Sequence, residues 1–306
     1  ANNYTYPGTN LVAHNYGHWE YGNVDMKEAL WQSYNTPAIR LLDQHTGSNR
    51  AKKFISGLNM DVKSSYGGGD ALGLDVSTQD IASAFSAVAN GGEYQKASYI
   101  KKIKFTDNSI KNVNYDKKRA MRKSTSYILL KMMEGVPYEN KDAKEAKIKE
   151  FKGHAMKTGS VAYDDQMQAK LPDFAAKDGW VGGTTKNISV TLWTGYDSPN
   201  KPGHYLSKSN TKQRQTLYAD IMKKFAKNTD TSDWPKPNTV YANGSGIKAD
   251  YSPLDTKKDE YSIPGLDILR SDSNNKFISL FNNNSDVKDD NEKINQTPKD
   301  LSLIHI

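Results

Sequence analysis

Between residues 154 and 196 the chain carries three strand-like runs in succession: His154 to Ser160 (HAMKTGS), Gly179 to Thr184 (GWVGGT) and Ile188 to Tyr196 (ISVTLWTGY). The last is rich in β-branched and aromatic residues, which suit a pleated, half-buried surface, and it ends at a Gly-Tyr-Asp turn. Helical periodicity lies on both sides of this block. Strands enclosed by helices in this order constrain the chain to an α+β layer fold, an antiparallel sheet flanked by helices.

Upstream, residues 1 to 25 are rich in Tyr, Asn, His and Gly and read as irregular structure with short strands. Met26, Ala29, Leu30 and Trp31 then fall at helical spacing. A second helix is predicted with Pro37 in its first turn, capped by Asn35 or Thr36 and running through Ile39, Leu41 and Leu42 toward His45. Ser33-Tyr34-Asn35 therefore lies in the break between two helices. Ser48 opens another short helix, over Ala51 to Leu58. Ser77-Thr78-Gln79-Asp80 is a capping box for the helix IASAFSAVAN, which Gly91 ends. Ile100 to Phe105 and Ile110 to Asn114 read as a hairpin, and Ser124 to Met133 as an amphipathic helix. A final helix is predicted from Ser209 to Ala226 with Leu217, Ile221 and Phe225 on its apolar face.

The formal charge of +7 is unevenly placed. Residues 241 to 306 hold 8 Lys+Arg against 11 Asp+Glu, a net −3, which leaves +10 for residues 1 to 240. A basic surface attracts nucleic acid, anionic lipid headgroups or anionic wall polymer. No RGG, zinc-finger or RNP-like signature accompanies these lysines, so nucleic acid is not expected as a partner. Cysteine is absent, which removes disulfides, thiolate nucleophiles and Cys-ligated zinc. No run of about 18 apolar residues spans a membrane, and Ala1 to Asn10 has no signal-peptide pattern. The glycine-rich YGGGDALG at 66 to 73 lacks the Lys-Ser/Thr and the preceding strand of a phosphate loop. His14 and His18 are four apart, but with Tyr16 and Gly17 between them and no acidic third ligand they make no metal site, and no cofactor is expected.

The composition gives three regions: a folded part over 1–237, a polar tail over 238–300 whose Asn, Asp, Ser and Lys content predicts disorder, and the apolar LSLIHI at 301–306. That last hexapeptide matches the translation of a common transposon-type sequencing adapter, so the natural C-terminus is expected further on.

Two short motifs carry chemistry. Lys157-Thr158-Gly159-Ser160 puts an ammonium and two hydroxyls around a glycine that lets a ligand lie flat on the strand, a clamp for a carboxylate. Ser33 and Asn35 offer a proton-shuttling hydroxyl and an amide that can hold a carbonyl. Either motif alone is weak: Ser33 could simply cap the following helix, and KTGS could be an exposed strand end.

Their order and context resolve the ambiguity. The chain resembles the penicillin-interacting serine enzymes, whose motifs are SxxK, Ser-x-Asn and Lys-Thr-Gly, and more narrowly the transpeptidase domain of class A bifunctional penicillin-binding proteins. The matching runs are YGNVDMKEALWQSYNTPAIRLL, ALGLDVSTQDIASAFSAVANGGEY, AMKTGS, DGWVGGT and VTLWTGYD. The resemblance implies the penicillin-binding/β-lactamase-like fold and a D,D-transpeptidase that cross-links peptidoglycan stem peptides through a serine acyl-enzyme, with β-lactams as inhibitors. It implies that Ser33 relays a proton, that Asn35 holds the substrate amide and that Lys157 stabilises the anionic site. Thr158, Gly159 and Ser160 would bind the terminal carboxylate, with the Ser160 N–H in the oxyanion hole. Ser160 stands where Thr is more frequent, and Val161 where a second hydroxyl is common.

One departure is large: no SxxK precedes Ser33. Ser98–Lys101, Ser209–Lys212, Ser245–Lys248 and Ser285–Lys288 fit the bare pattern in the wrong places. The chain is therefore expected to be a fragment that starts after its nucleophile and is inactive alone. Competing readings are a non-catalytic stem-peptide or β-lactam sensor and a D,D-carboxypeptidase or β-lactamase-like hydrolase. Resemblance also implies a place at the outer face of the cytoplasmic membrane, through an anchor outside this chain.

Overall fold

A computed structural model describes residues 1–60, 68–243, 246–249 and 304–305. In chain order it contains strands β1 (Tyr4–Thr5) and β2 (Val12–Ala13), helices α1 (Met26–Trp31), α2 (Asn35–Arg40), α3 (Ser48–Gly57) and α4 (Thr78–Ala89), and strands β3 (Glu93–Gln95), β4 (Lys102–Lys104), β5 (Ile110–Asn112) and β6 (Lys117–Arg119). Helices α5 (Lys123–Met133) and α6 (Val136–Glu139) lead to β7 (Ala155–Ala162), α7 (Asp165–Gln168), β8 (Ala176–Thr184) and β9 (Ser189–Gly195). Helix α8 (Lys208–Ala226), β10 (Val240–Asn243), β11 (Gly246–Ala249) and β12 (Ile304–His305) complete the order.

The three strand-like runs are the centre of the molecule. They pair antiparallel in the order β7-β8-β9, with β12 added at the β7 edge, and set Lys157 opposite Gly182, Gly159 opposite Trp180 and Ser160 opposite Gly179. The two-residue β12 meets β7 at Val161 and Ser160. Because side chains alternate along a strand, β7 feeds both faces of the sheet. Met156 joins Val181, Tyr218, Ala219 and Met222 beneath α8, while Ala155 joins Leu130, Met133, Val88 and Trp234 beneath α4 and α5. Lys157, two residues after Ala155, shares the latter face.

Helix α4 comes this close because its residues are small and because β8 is glycine-rich: a Cβ at Gly182 would lie 2.7 Å from the Phe85 ring. The predicted capping box is present, with the Ser77 hydroxyl accepting from the Asp80 N–H and the Asp80 carboxylate accepting from the Ser77 N–H. At the other end the Gly92 N–H donates to the Ala87 carbonyl, the long bond of a Schellman turn, with Gly91 and Gly92 in the left-handed region.

Three expectations change. The buried face of α8 is Arg214, Gln215, Tyr218, Ala219 and Met222, whereas Leu217 and Phe225 are exposed. Helix α2 is preceded by Tyr34, which makes no side-chain cap; Asn35 and Thr36 lie inside the helix. Its start is capped from a distance by the Asn15 side-chain oxygen Oδ1, which accepts from the Thr36 N–H at 3.1 Å. The folded part also runs past residue 237: β10 and β11 form a hairpin that places Val240 and Ala249 in the core beside Trp234. The remainder of the expected polar tail, residues 250–303, lies outside the described residues, as do residues 61–67 of the segment leading into the glycine-rich loop.

At the start of β7, His154 is buried and its Nε2 lies 2.8 Å from the Tyr218 hydroxyl. Burial pushes the imidazole down to about 4, below its ordinary value of 6.5. The unfolded chain takes up this proton near pH 6.5 and the folded chain only near 4, so stability from this group is lost as pH falls through that window. Denaturant midpoints measured from pH 7 to pH 4 are expected to fall, and His154→Phe is expected to flatten the decline.

Candidate active site

Ser33 owes its position to the way α1 ends. The Tyr34 N–H donates to the Ala29 carbonyl at 3.0 Å and the Ser33 N–H to the Leu30 carbonyl at 3.3 Å, a Schellman pattern with Ser33 at the left-handed position, φ 60°. That position normally selects glycine, and an L-residue there costs roughly 1–2 kcal/mol. The strain is held by anchors on both sides. The Trp31 indole donates to the Met132 carbonyl at 2.5 Å, the Asn140 amide donates to the Trp31 carbonyl at 2.7 Å, and Tyr34 stacks on Tyr21.

The result aims the Ser33 hydroxyl at the sheet, where it accepts a hydrogen bond from the Lys157 ammonium. Lys157 also donates to the Thr158 carbonyl at 3.2 Å. Burial of Nζ drives its pKa from the ordinary 10.5 down to about 7. Asn35 is buried and its amide donates to the His14 carbonyl at 3.1 Å. Ser33, Asn35 and Lys157 together line a cavity of about 770 Å³ whose other walls include the apolar Met26, Leu30, Pro37, Leu41 and Leu72.

Thr158, Gly159 and Ser160 continue β7 from Lys157, all partly accessible. Alternation puts Thr158 and Ser160 on the opposite face from Lys157, so a ligand touching all three must lie along the strand edge rather than over one face, in the place where β12 pairs with Ser160 and Val161. Trp180, across from Gly159, and Trp193, across from Trp180, have ring centroids 6.5 Å apart and wall the sheet beside the motif. The sequence motifs Ser-x-Asn and Lys-Thr-Gly-Ser, 124 residues apart at Ser33 and Lys157, thus meet at one cavity.

The other SxxK strings do not join them. Ser98 and Lys101 line a separate cavity of about 530 Å³ against α4, and Ser209 to Lys212 form the first turns of α8. Ser245 and Ser285 lie outside the described residues. Among the described residues no group of acidic, His or Cys side chains is placed to hold a metal ion, and no helix is long and apolar enough to cross a membrane. His14 and His18 have ring centroids 4.4 Å apart, and the His14 ring bonds to Asn3.

Sequence reasoning did not reveal that Ser33 sits in the left-handed region, nor that the Asn15 side chain and the His14 carbonyl brace the start of α2. With the hydroxyl absent in both variants, Ser33→Gly is expected to be more stable than Ser33→Ala by about 1 kcal/mol. Chemical denaturation of the two proteins checks this; equal stabilities would mean the turn is not strained.

Comparison with known proteins places the chain in a family. A family model described as the penicillin binding protein transpeptidase domain matches residues 2–223. Penicillin-binding protein 1A of Streptococcus pneumoniae (strain ATCC BAA-255 / R6) is 32% identical over 256 residues, covering 80% of this chain and 35% of that protein. Penicillin-binding protein 1A/1B of Bacillus subtilis (strain 168) is 26% identical over 260 residues, covering 80% of this chain and 28% of that protein. The chain thus spans about a third of the length of these relatives. Among solved structures, penicillin-binding protein 1A from Haemophilus influenzae superposes with a TM-score of 0.65 at 15% identity, over 82% of this chain and 43% of that one. The PonA1 protein from Mycobacterium tuberculosis in complex with penicillin V gives 0.60 at 20% identity, over 79% and 66%. The antiparallel sheet flanked by helices is shared with both.

Proposed function

The chain belongs to the penicillin-binding protein transpeptidase family, and we propose that it forms the substrate-binding walls of a peptidoglycan D,D-transpeptidase whose nucleophilic serine is supplied from outside residues 1–306. The observation that carries this reading is the contact between Lys157 and Ser33 on one cavity, reached by none of the chain's own SxxK strings among the described residues. The apolar side of that cavity, with Met26, Leu30, Leu41 and Leu72, suits the packing of a further helix.

In the proposed reaction the serine Oγ bonds to the carbonyl carbon of the penultimate D-Ala of one stem. The peptide bond to the terminal D-Ala breaks, and the departing amine takes a proton through Ser33. An amine of a second stem then attacks the ester, displacing the serine and returning its proton by the same route. Covalent catalysis of this kind divides one difficult amide exchange into two easier steps. Thr158 and Ser160 hold the terminal carboxylate, with Gly159 letting the peptide lie along β7. Protonated Lys157 balances that negative charge, and the Ser160 N–H stabilises the tetrahedral oxyanion. Asn35 holds the substrate amide. The protein so assembled would act at the outer face of the cytoplasmic membrane and be acylated by β-lactams.

The test uses the longer protein that contains this chain and the sequence preceding Ala1, given a stem pentapeptide ending in D-Ala-D-Ala and an amine acceptor. Release of D-Ala with formation of the cross-linked dimer is the expected result. Release with water alone as acceptor would assign a carboxypeptidase, and binding without release would assign a sensor; either overturns the transpeptidase reading.

A further inference from the structure

Away from the Ser33–Lys157 cavity, the ribbon β4–β5 has a surface that the proposed chemistry does not use. All six of its ladder residues are exposed, on both faces, and it forms a two-stranded sheet of its own. A two-stranded ribbon with no packed face is marginal in water. This one is nevertheless held in a fixed posture at its base: the Tyr99 hydroxyl donates to Gln79 at the start of α4 at 2.6 Å, the Tyr115 hydroxyl to the Ile100 carbonyl at 3.0 Å, and the Val113 N–H to the Lys101 carbonyl at 3.0 Å.

Its chemistry is of two kinds. Residues 96 to 119 hold eight Lys or Arg against two Asp. Of these, Lys117 and Arg119 pair with Glu93, whereas Lys101, Lys102, Lys104 and Lys111 make no ion pair among the described residues. Interleaved with the lysines are exposed apolar side chains: Tyr99 (89% exposed), Ile110 (55%), Ile100 (52%) and Phe105 (47%). Lysines on a free strand edge are a common defence against unwanted strand pairing. That defence explains the lysines, and the bond to Gln79 explains Tyr99, but the isoleucines and Phe105 are left unexplained, since exposed apolar groups invite the association that lysines prevent. A soluble polyanion would call for the cations alone. Cations and apolar side chains together match the boundary of an anionic bilayer, where ammonium groups meet headgroup phosphates and rings and branched chains enter the acyl border.

We infer that the β4–β5 ribbon is a docking surface for an anionic lipid bilayer. The experiment sediments the 306-residue chain with phosphatidylcholine vesicles and with vesicles of phosphatidylcholine and phosphatidylglycerol. Binding to the second and not the first is expected, weakening as salt is added. Combined Lys101→Glu, Lys102→Glu, Lys104→Glu and Lys111→Glu should reduce partitioning at least about 100-fold. Phe105→Ser with Ile110→Ser, lysines intact, should reduce it several-fold. Lys223→Glu with Lys224→Glu on α8 should leave it unchanged. Thermal unfolding of each variant, expected near the wild-type temperature because the ribbon residues and Lys224 are exposed and Lys223 is only partly covered, shows that the fold survives. Failure to bind anionic vesicles overturns the inference, as does equal loss with the α8 lysines, which would mean diffuse charge. Indifference to Phe105 and Ile110 together with competition by soluble poly(glycerol phosphate) would reassign the ribbon to a polyanion. Acylation plays no part in this assay, so its outcome is independent of the proposed active site.

Discussion

Replacing Lys157 by Ala in the proposed longer protein, with an SxxK ahead of Ala1, is expected to lower the second-order rate of penicillin acylation by about 1,000-fold, some 4 kcal/mol of transition-state stabilisation. The argument starts from geometry: Nζ is the donor to Ser33 and to the Thr158 backbone carbonyl, on the cavity that Ser33 and Asn35 line. On the proposed reading, removing it takes away the charge that offsets the substrate carboxylate and the partner that orients the proton-carrying hydroxyl. Lys157→Arg should not restore the rate, because a planar guanidinium cannot replace a compact ammonium in this space. The 306-residue chain offers a second readout. Unfolded lysine keeps its proton to about pH 10.5 and the folded one releases it near 7, so this group's contribution makes stability rise with pH across that window. Lys157→Met should remove that rise. A wild-type acylation rate in Lys157→Ala would exclude Lys157 from the site.

The second large effect is on stability. Gly183 lies opposite Met156 in the sheet, and a Cβ there would sit 2.2 Å from the Tyr218 hydroxyl and 2.7 Å from the Ala155 carbonyl oxygen. Neither neighbour can yield cheaply. Tyr218 is fully buried and bonded to His154, and Ala155 is fixed in the β7–β8 ladder. Gly183→Ala is therefore expected to cost about 4 kcal/mol, overpacking plus the strained or broken Tyr218–His154 bond. For a domain of this size that is a fall of roughly 10 °C in Tm. Gly183→Ala combined with Tyr218→Phe should recover part of the loss by removing the hydroxyl that the new methyl strikes; no recovery would show that the backbone carbonyl, not the hydroxyl, sets the cost.

Where local chemistry decides the structure, the sequence was readable. The Ser77–Asp80 capping box, the α1–α2 break at Ser33 and the three sheet strands each announce themselves within a dozen residues, and each is present. Readability fails where the deciding partner is distant. On α8 the periodic Leu217, Ile221 and Phe225 were the natural core face. The sheet instead receives Tyr218, Ala219 and Met222, because Gly183 and Gly179 open space for Tyr218 and for the Arg214 side chain. The cap of α2 comes from Asn15, 21 residues upstream, and no local spacing signals it. The hairpin of β10 and β11 was hidden by polar composition, since among its described residues Val240 and Ala249 alone reach the core. For the site, each motif was legible as a motif, but the meeting of Ser33 with Lys157 was legible only through resemblance, because 124 residues separate them.

The central claim is that this chain supplies the walls of a transpeptidase site and another segment supplies the attacking serine. Fluorescent penicillin, incubated separately with the 306-residue chain and with the longer protein, tests it most directly. The account predicts no covalent label on the chain alone, and on the longer protein a label that peptide mapping locates at the serine of an SxxK preceding Ala1. Covalent labelling of the 306-residue chain, at Ser33 or at any other residue, would contradict it.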